Sequence, residues 1–264
     1  MTHTQYLNDT QEFNHAIDLV NCEIERLSKE STKQFEKTAL NEMAKSLHND
    51  LSSMNVCVSC FSEVGDSLSQ RRAYGSQMSG YAIGFCGSFL KQVAKHEQFY
   101  LAKCVYDTNS KNQIISKFVR AVLEEVIKHQ HLAPNDLNDD YDFWHDGGNL
   151  CAYLNRLAPI LKNSSFSDER EWRIISRPLR CTSEHFDYRQ GNSMIIPYYK
   201  LPITNDVTHV GEKRFQNICV GPTPNKLQAA NSVRSLLASQ RLASHLTPGG
   251  PVDVINSSVP YRSW

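Results

Sequence analysis

Residues 167–175, S-D-E-R-E-W-R-I-I, place two carboxylates two residues apart at the start of an apolar run. Alternate side chains of a strand share one face, so the pattern predicts Glu169, Glu171 and Arg173 on the same face. Two carboxylates this close resist ionising together, and such an edge suits chemistry with an oxocarbenium-like transition state. The same residues also suit a solvated ladder of ion pairs with Arg170, Arg173 or Arg177.

A second cluster occupies residues 59–75, S-C-F-S-E-V-G-D-S-L-S-Q-R-R-A-Y-G. A predicted strand ends at Ser62, and a polar connection that can include a helical turn then carries Gln70, Arg71, Arg72 and Tyr74. Two arginines beside a tyrosine suit a phosphate clamp with the ring stacked on a heteroaromatic base. A surface loop with a packing tyrosine fits the pattern equally well.

The composition excludes several classes of protein. Lys+Arg and Asp+Glu both total 28, so there is no broad basic field for binding nucleic acid through many phosphates. The chain has no apolar run of membrane-spanning length, and its first residues lack the features of a signal peptide. We therefore expect a cytoplasmic protein with no membrane contact.

The cysteines and histidines predict no metal site. Cys57 and Cys60 form a C-x-x-C within a strand-like run, where residues three apart point to opposite faces. No second C-x-x-C completes a zinc site, and no H-E-x-x-H spacing occurs. We expect reduced, largely buried thiols.

The periodicity of apolar residues predicts the order of helices and strands. Helices are expected at about residues 9–30, 32–50, 87–95, 114–129, 147–162 and 225–243. Strands are expected at about residues 56–62, 81–85, 100–106, 170–176, 194–200, 215–220 and 252–256. Helices come first and then mix with strands without a regular β-α-β alternation, which favours an α+β fold. Because no linker or repeat divides the chain, we predict a single domain over residues 1–264.

Five spaced motifs resemble a bacterial family catalogued as a domain of unknown function. They are Y-L-N-D-x-x-E-F, S-C-F-S-E-x-x-D-x-L-S-Q-x-R-A-Y-G with G-Y-A-I-G-F, F-S-D-E-R-E-W-R, I-C-V-G-P and S-x-P-Y-R. They follow one another over nearly the whole chain. The family usually has a tryptophan where Arg71 stands, and its members commonly carry a further strand before the first motif.

The layout of that family in turn resembles the ADP-ribosyltransferase superfamily. This resemblance implies a split β-sandwich with N-terminal and inserted helices, and NAD as substrate without a metal. Ser62 matches the serine at a strand end, Tyr74 the aromatic that covers nicotinamide, and Glu169 and Glu171 the E-x-E motif. Glu171 is then the catalytic glutamate, braced by a hydrogen bond from Ser62, while Glu169 orients or deprotonates the acceptor.

The resemblance also implies which residues bind NAD. Arg72 is expected at the pyrophosphate, with Gln70 on the same segment. The first-strand Arg or His that grips NAD in many transferases has no visible counterpart, so Arg72 or Arg262 is expected to replace it. We further expect Ser62, Tyr74 and Glu171 to converge on one cleft, with Glu171 exposed to it.

The implied activity is mono-ADP-ribosylation of a protein or a single-stranded nucleic acid by a toxin or antiviral effector. Such an effector implies an antitoxin partner, and Arg71 is expected to contact the acceptor. An NAD glycohydrolase with water as acceptor is one alternative. A non-catalytic ligand-binding or interaction module is the other.

Overall fold

The computed structural model describes residues 1–7, 12–49, 55–75, 80–130, 150–203, 213–244 and 249–259. Helices and strands are mixed and the strands form two sheets, which confirms the predicted α+β class. The chain's contacts group into two compact units. The first unit comprises Met1–Cys60, Ala102–Asp168 and Ile175–Leu201, and the second comprises Phe61–Leu101, Glu169–Ile174 and Pro202–Trp264. The single domain expected over residues 1–264 stays a prediction.

The helices lie close to where periodicity predicts them. The described α-helices are α1 (Glu12–Glu30), α2 (Gln34–Asn49), α3 (Leu68–Tyr74), α4 (Gly87–His96), α5 (Thr108–Gln130), α6 (Leu150–Leu157) and α7 (Lys226–Ser239). The two largest differences from the predicted bounds are at α5 and α6. The helix α5 begins six residues before Ile114, and α6 passes into a 3-10 helix over Ala158–Ile160. The polar connection after Ser62 folds into the full helix α3, whose first turn is capped by the hydroxyl of Ser67.

The strands form a six-stranded and a three-stranded sheet. They are β1 (Thr2–His3), β2 (Cys57–Ser62), β3 (Tyr81–Phe85), β4 (Tyr100–Lys103), β5 (Glu171–Ile175), β6 (Phe186–Gln190), β7 (Ile195–Tyr199), β8 (Phe215–Val220) and β9 (Asp253–Asn256). The larger sheet has the order β4-β5-β2-β1-β7-β6, and the smaller has the order β3-β8-β9. The sequence patterns did not predict β1 and β6.

The core of the first unit is made by helices. The α1 residues Ala16, Val20, Ile24 and Leu27 recur at helical spacing and are buried against α2, α5 and α6. Full burial of each large aliphatic side chain contributes about 1.5–3 kcal/mol. A smaller cluster joins Val56, which directly precedes β2, and Val58 of β2 to Ile175 of β5.

The second unit builds its own core between a sheet and a helix. Strand β8 pairs antiparallel with β3 and parallel with β9. The α7 residues Ala230, Val233 and Leu237 pack against Val220 and Val252. The spacing of these three positions places them on one face of α7, which explains why most of the helix outside that face is exposed.

Candidate functional site

Strands β2 and β5 bring together two residues that lie far apart in the sequence. The Ser176 amide donates to the carbonyl of Cys57 at 2.9 Å, and the Glu63 amide donates to the carbonyl of Arg170 at 3.1 Å. A single antiparallel register satisfies both bonds, and it also explains the contact between Val58 and Ile175. This register places Ser62, the last residue of β2, opposite Glu171, the first residue of β5.

Ser62 braces the E-x-E segment through its backbone. The Ser62 hydroxyl donates to the main-chain oxygen of Glu169 at 2.7 Å and accepts from the Val64 amide at 3.0 Å. A hydroxyl has one proton to donate. The bond expected between Ser62 and the Glu171 carboxylate is therefore replaced by one to the Glu169 carbonyl.

Glu171 forms a buried ion pair with Arg173. The Arg173 Nε lies 2.8 Å from Glu171 Oε1, and its Nη2 lies 3.2 Å from Oε2, so the pair is bidentate. The side chains are only 7% and 3% exposed, respectively. Residues two apart on a strand share a face, which is why these two meet. The expected exposure of Glu171 is wrong, because Arg173 lies against its carboxylate and both side chains are buried.

Glu169 does not belong to the strand. It ends a 3-10 helix over Ser164–Glu169, and Arg170 follows with a φ of 43°, in the left-handed region that non-glycine residues rarely adopt. This turn interrupts the alternation between Glu169 and Glu171, so the prediction of a shared strand face is wrong for Glu169. The side chain of Glu169 is half-buried, and that of Glu171 is buried.

The sequence prediction missed a further carboxylate at this strand end. The Trp172 indole donates to Glu63 Oε1 at 2.8 Å, in an exposed position. The register of β2 and β5 puts Glu63 and Trp172 on the face opposite that of Ser62 and Glu171. The signal was present in the sequence, because Glu63 directly follows the predicted strand-end serine.

The NAD-binding residues suggested by the resemblance lie on α3. Gln70 is half-buried and Arg72 is exposed, whereas Tyr74, the last residue of the helix, is 67% exposed. Exposed side chains here are accessible to a ligand. Arg262 lies outside the described residues. Ser62 and Glu171 lie on neighbouring strands. The convergence of Ser62, Tyr74 and Glu171 on one cleft stays a prediction.

Arg71 is buried, contrary to its expected contact with an acceptor. It is 7% exposed and forms an ion pair with Asp66, with Nη2 at 2.9 Å from Oδ1. Burial opposes the charge of Asp66. Hydrogen bonds from Ser257, from the Ser258 amide and from Arg71 outweigh burial and lower the pKa of Asp66 below its usual value. Arg71 therefore contacts internal partners, Asp66 and Cys219, instead of facing solvent.

The cysteines differ in burial, and their reduced state stays a prediction. Cys57 is buried and Cys60 is exposed, as alternation over three residues requires. Burial raises the pKa of Cys57 to about 12. Cys22 and Cys181 are also exposed, so the expectation of largely buried thiols is only partly met.

Within the described part of the chain, no three His, Cys, Asp or Glu side chains are grouped so as to hold a metal ion. Over the same residues, no helix is both long and apolar enough to cross a membrane.

Comparison with known proteins finds one family. No curated protein and no solved structure matches the chain significantly. The match to this family covers the middle of the chain, from α3 to β5. It includes Gln70, Arg72, Tyr74 and the E-x-E segment. Residues 70–174 match the family model described as a protein of unknown function (DUF2971).

Proposed function

We propose that the protein is an NAD-dependent mono-ADP-ribosyltransferase with the fold of that superfamily, a split β-sandwich with N-terminal and inserted helices. The observation that supports this most is the placement of Ser62 opposite Glu171. The resemblance to ADP-ribosyltransferases requires a strand-end serine beside the second glutamate of E-x-E, and the pairing of β2 with β5 supplies that neighbourhood. This pairing joins distant parts of the chain, so local sequence pattern alone does not produce it.

In this proposal Glu171 stabilises the positive charge that develops on the ribose of NAD. Breaking the nicotinamide–ribose bond gives the sugar oxocarbenium character, and a carboxylate facing that charge favours the transition state over the ground state. The ion pair with Arg173 is compatible with this role. A carboxylate has about four lone-pair positions, so a bidentate guanidinium does not by itself exclude a hydrogen bond from a ribose hydroxyl. The pair also fixes the carboxylate, which reduces the reorganisation needed in the transition state.

The exposed residues of α3 would bind NAD. We assign the exposed Arg72 to the pyrophosphate, because a guanidinium pairs well with phosphate, and the exposed ring of Tyr74 to the nicotinamide. Gln70 and Arg262 complete the proposed set. Glu169, half-buried before the strand, would orient or deprotonate the acceptor.

The proposed role is that of a cytoplasmic toxin or antiviral effector with an antitoxin partner. The acceptor is a protein or a single-stranded nucleic acid. The equal numbers of acidic and basic residues argue against tight, sequence-independent binding to duplex DNA.

One observation favours a second candidate, a non-catalytic ligand-binding module. The bidentate, buried pair of Glu171 and Arg173 gives the second glutamate of E-x-E a structural role that needs no reaction. A folded protein that binds a nucleotide without consuming NAD would fit this candidate.

The decisive experiment incubates the protein with NAD labelled on the adenylate phosphate, with and without cell extract. We expect label to appear in protein or nucleic acid, and Glu171→Gln to lower transfer by at least about a hundredfold, as losses of a preorganised electrostatic group do. Glu184→Gln, at an exposed position in the first unit, is the matched control and should retain activity.

Three outcomes separate the candidates. Nicotinamide release without labelling of a macromolecule would identify a glycohydrolase. No consumption of NAD by a folded wild-type protein would exclude both enzymes and leave the binding module. Full activity of Glu171→Gln would exclude Glu171 as the catalytic glutamate.

A further inference from the structure

Asp66 is the centre of a polar network, here named the Asp66 node, formed with Arg71, Cys219, Ser257 and Ser258. Its Oδ1 accepts from Arg71 Nε at 3.0 Å and from the Ser257 hydroxyl at 2.7 Å. Its Oδ2 accepts from the Ser258 amide at 2.8 Å and from the Ser258 hydroxyl at 3.1 Å. One carboxylate thus joins helix α3 to the segment that follows β9.

Arg71 extends the node to β8. Its Nη2 donates to the buried thiol of Cys219 at 3.1 Å. The neighbouring Gly221 leaves the space that the guanidinium needs, because a Cβ there would lie 2.6 Å from Arg71 Nη1 and 2.7 Å from the Gly80 carbonyl. The node therefore connects three of the motifs quoted above, those of α3, of I-C-V-G-P and of S-x-P-Y-R.

Arg71 is the residue through which the node contacts α3. The helix has only seven residues, and Arg71 is the one that is buried. A helix this short has little intrinsic stability, so its position depends on what anchors it. Arg72 and Tyr74 lie on the same seven residues, and any displacement of Arg71 displaces both.

We infer that Asp66 is a positioning residue, which acts through Arg71 to hold α3 so that Arg72 and Tyr74 can bind NAD, and which ties residues 257–258 to the same helix. The part of this inference that concerns NAD rests on the proposed function, whereas the positioning of α3 by Asp66 is independent of it. Asp66 has no contact with the reacting atoms in this scheme, so it should affect the binding of NAD more than the reaction that follows.

The test uses Asp66→Asn in the full chain, with Asp187→Asn as control. Asp187 is a carboxylate that also pairs with a cation, Lys200, but is 43% exposed and lies in the first unit. Hydrogen exchange followed by mass spectrometry reports on the backbone hydrogen bonds of α3. Among these, the Arg71 amide donates to the Ser67 carbonyl, and the amide of Gly75, which follows the helix, donates to the Arg71 carbonyl. Steady-state kinetics with NAD reports on the site. Ser257→Ala, which deletes one hydroxyl at a buried position, is the milder variant should Asp66→Asn fail to fold.

We expect faster exchange in α3 and in the peptide containing Ser258 for Asp66→Asn, with α7 unchanged. We also expect KM for NAD to rise about tenfold, while kcat changes by no more than about twofold. A tenfold effect is smaller than the roughly hundredfold loss that a misplacement of about 1 Å can cause. Asp187→Asn should change neither quantity.

Unchanged exchange in α3 would overturn the inference whatever the kinetics show. Faster exchange with an unchanged KM would reduce the node to a structural role and overturn the positioning of NAD. If the wild-type protein neither binds nor consumes NAD, the proposed function fails, and exchange alone then decides whether Asp66 holds α3.

Discussion

Removing one partner of the Glu171–Arg173 pair should destabilise the protein strongly, whereas removing both should not. The side chains are almost fully buried and joined by two hydrogen bonds. At a charge separation of about 4 Å and an effective dielectric constant of about 20, their attraction is about 4 kcal/mol. A lone charge left at this position loses that attraction and keeps the cost of its burial.

The perturbation is a double-mutant cycle with Glu171→Leu, Arg173→Met and the double variant. We expect each single change to lower the free energy of unfolding by about 3–5 kcal/mol. The double variant fills the same space with apolar groups, so we expect it to lose less than either single variant. The magnitude of the coupling free energy should then be at least about 3 kcal/mol.

Urea unfolding followed by circular dichroism measures these quantities, with each transition fitted separately because the chain has two compact units. The exposed pair of Lys45 and Glu42 supplies the control cycle, for which we expect no measurable coupling. Additive single changes at Glu171 and Arg173, or losses as small as those of the control pair, would refute the buried ion pair. A folded double variant also allows the loss of NAD chemistry to be measured without the instability of a single variant.

Two further predictions concern glycine and acid. Gly249→Ala should destabilise the second unit more than Gly250→Ala, as measured by urea unfolding: both have positive φ (80° and 87°), but a Cβ at Gly249 would lie 2.3 Å from Lys213 Cα, whereas one at Gly250 meets nothing within 4 Å. Strain in φ alone costs about 1–2 kcal/mol, so equal losses would contradict the clash. The folded-state pKa of Asp66 is lowered, so its contribution to stability is present above the unfolded pKa of about 3.9 and is lost as the pH falls through the folded value. Unfolding titrations of wild type and Asp66→Asn should therefore converge in free energy as the pH falls below about 4, and a difference that stays constant down to pH 2 would contradict this assignment.

Periodicity alone located most of the helices and strands. The stripe of α1 and the bounds of β3 and β8 follow from residues close together in the chain, because each pattern matches the repeat of its own helix or strand. The same reasoning missed β6, whose residues Phe186–Gln190 carry Asp187 and Arg189 and are partly exposed. That strand forms because β7 pairs with it, which no local pattern shows.

At the candidate site, too, some features follow from the sequence and others only from the tertiary structure. The sequence determined which residue types stand beside one another, including Glu171 with Arg173 and Ser62 with Glu63. Only the tertiary structure decided which charges are buried. Arg71 is buried because Asp66 and Cys219 contact its guanidinium. Glu169 lies outside the strand because Arg170, between it and Glu171, has a positive φ. A charge can be buried only where hydrogen bonds or ion pairs compensate for its lost hydration. Those partners come from distant parts of the chain, as Ser257 and Ser258 do at Asp66.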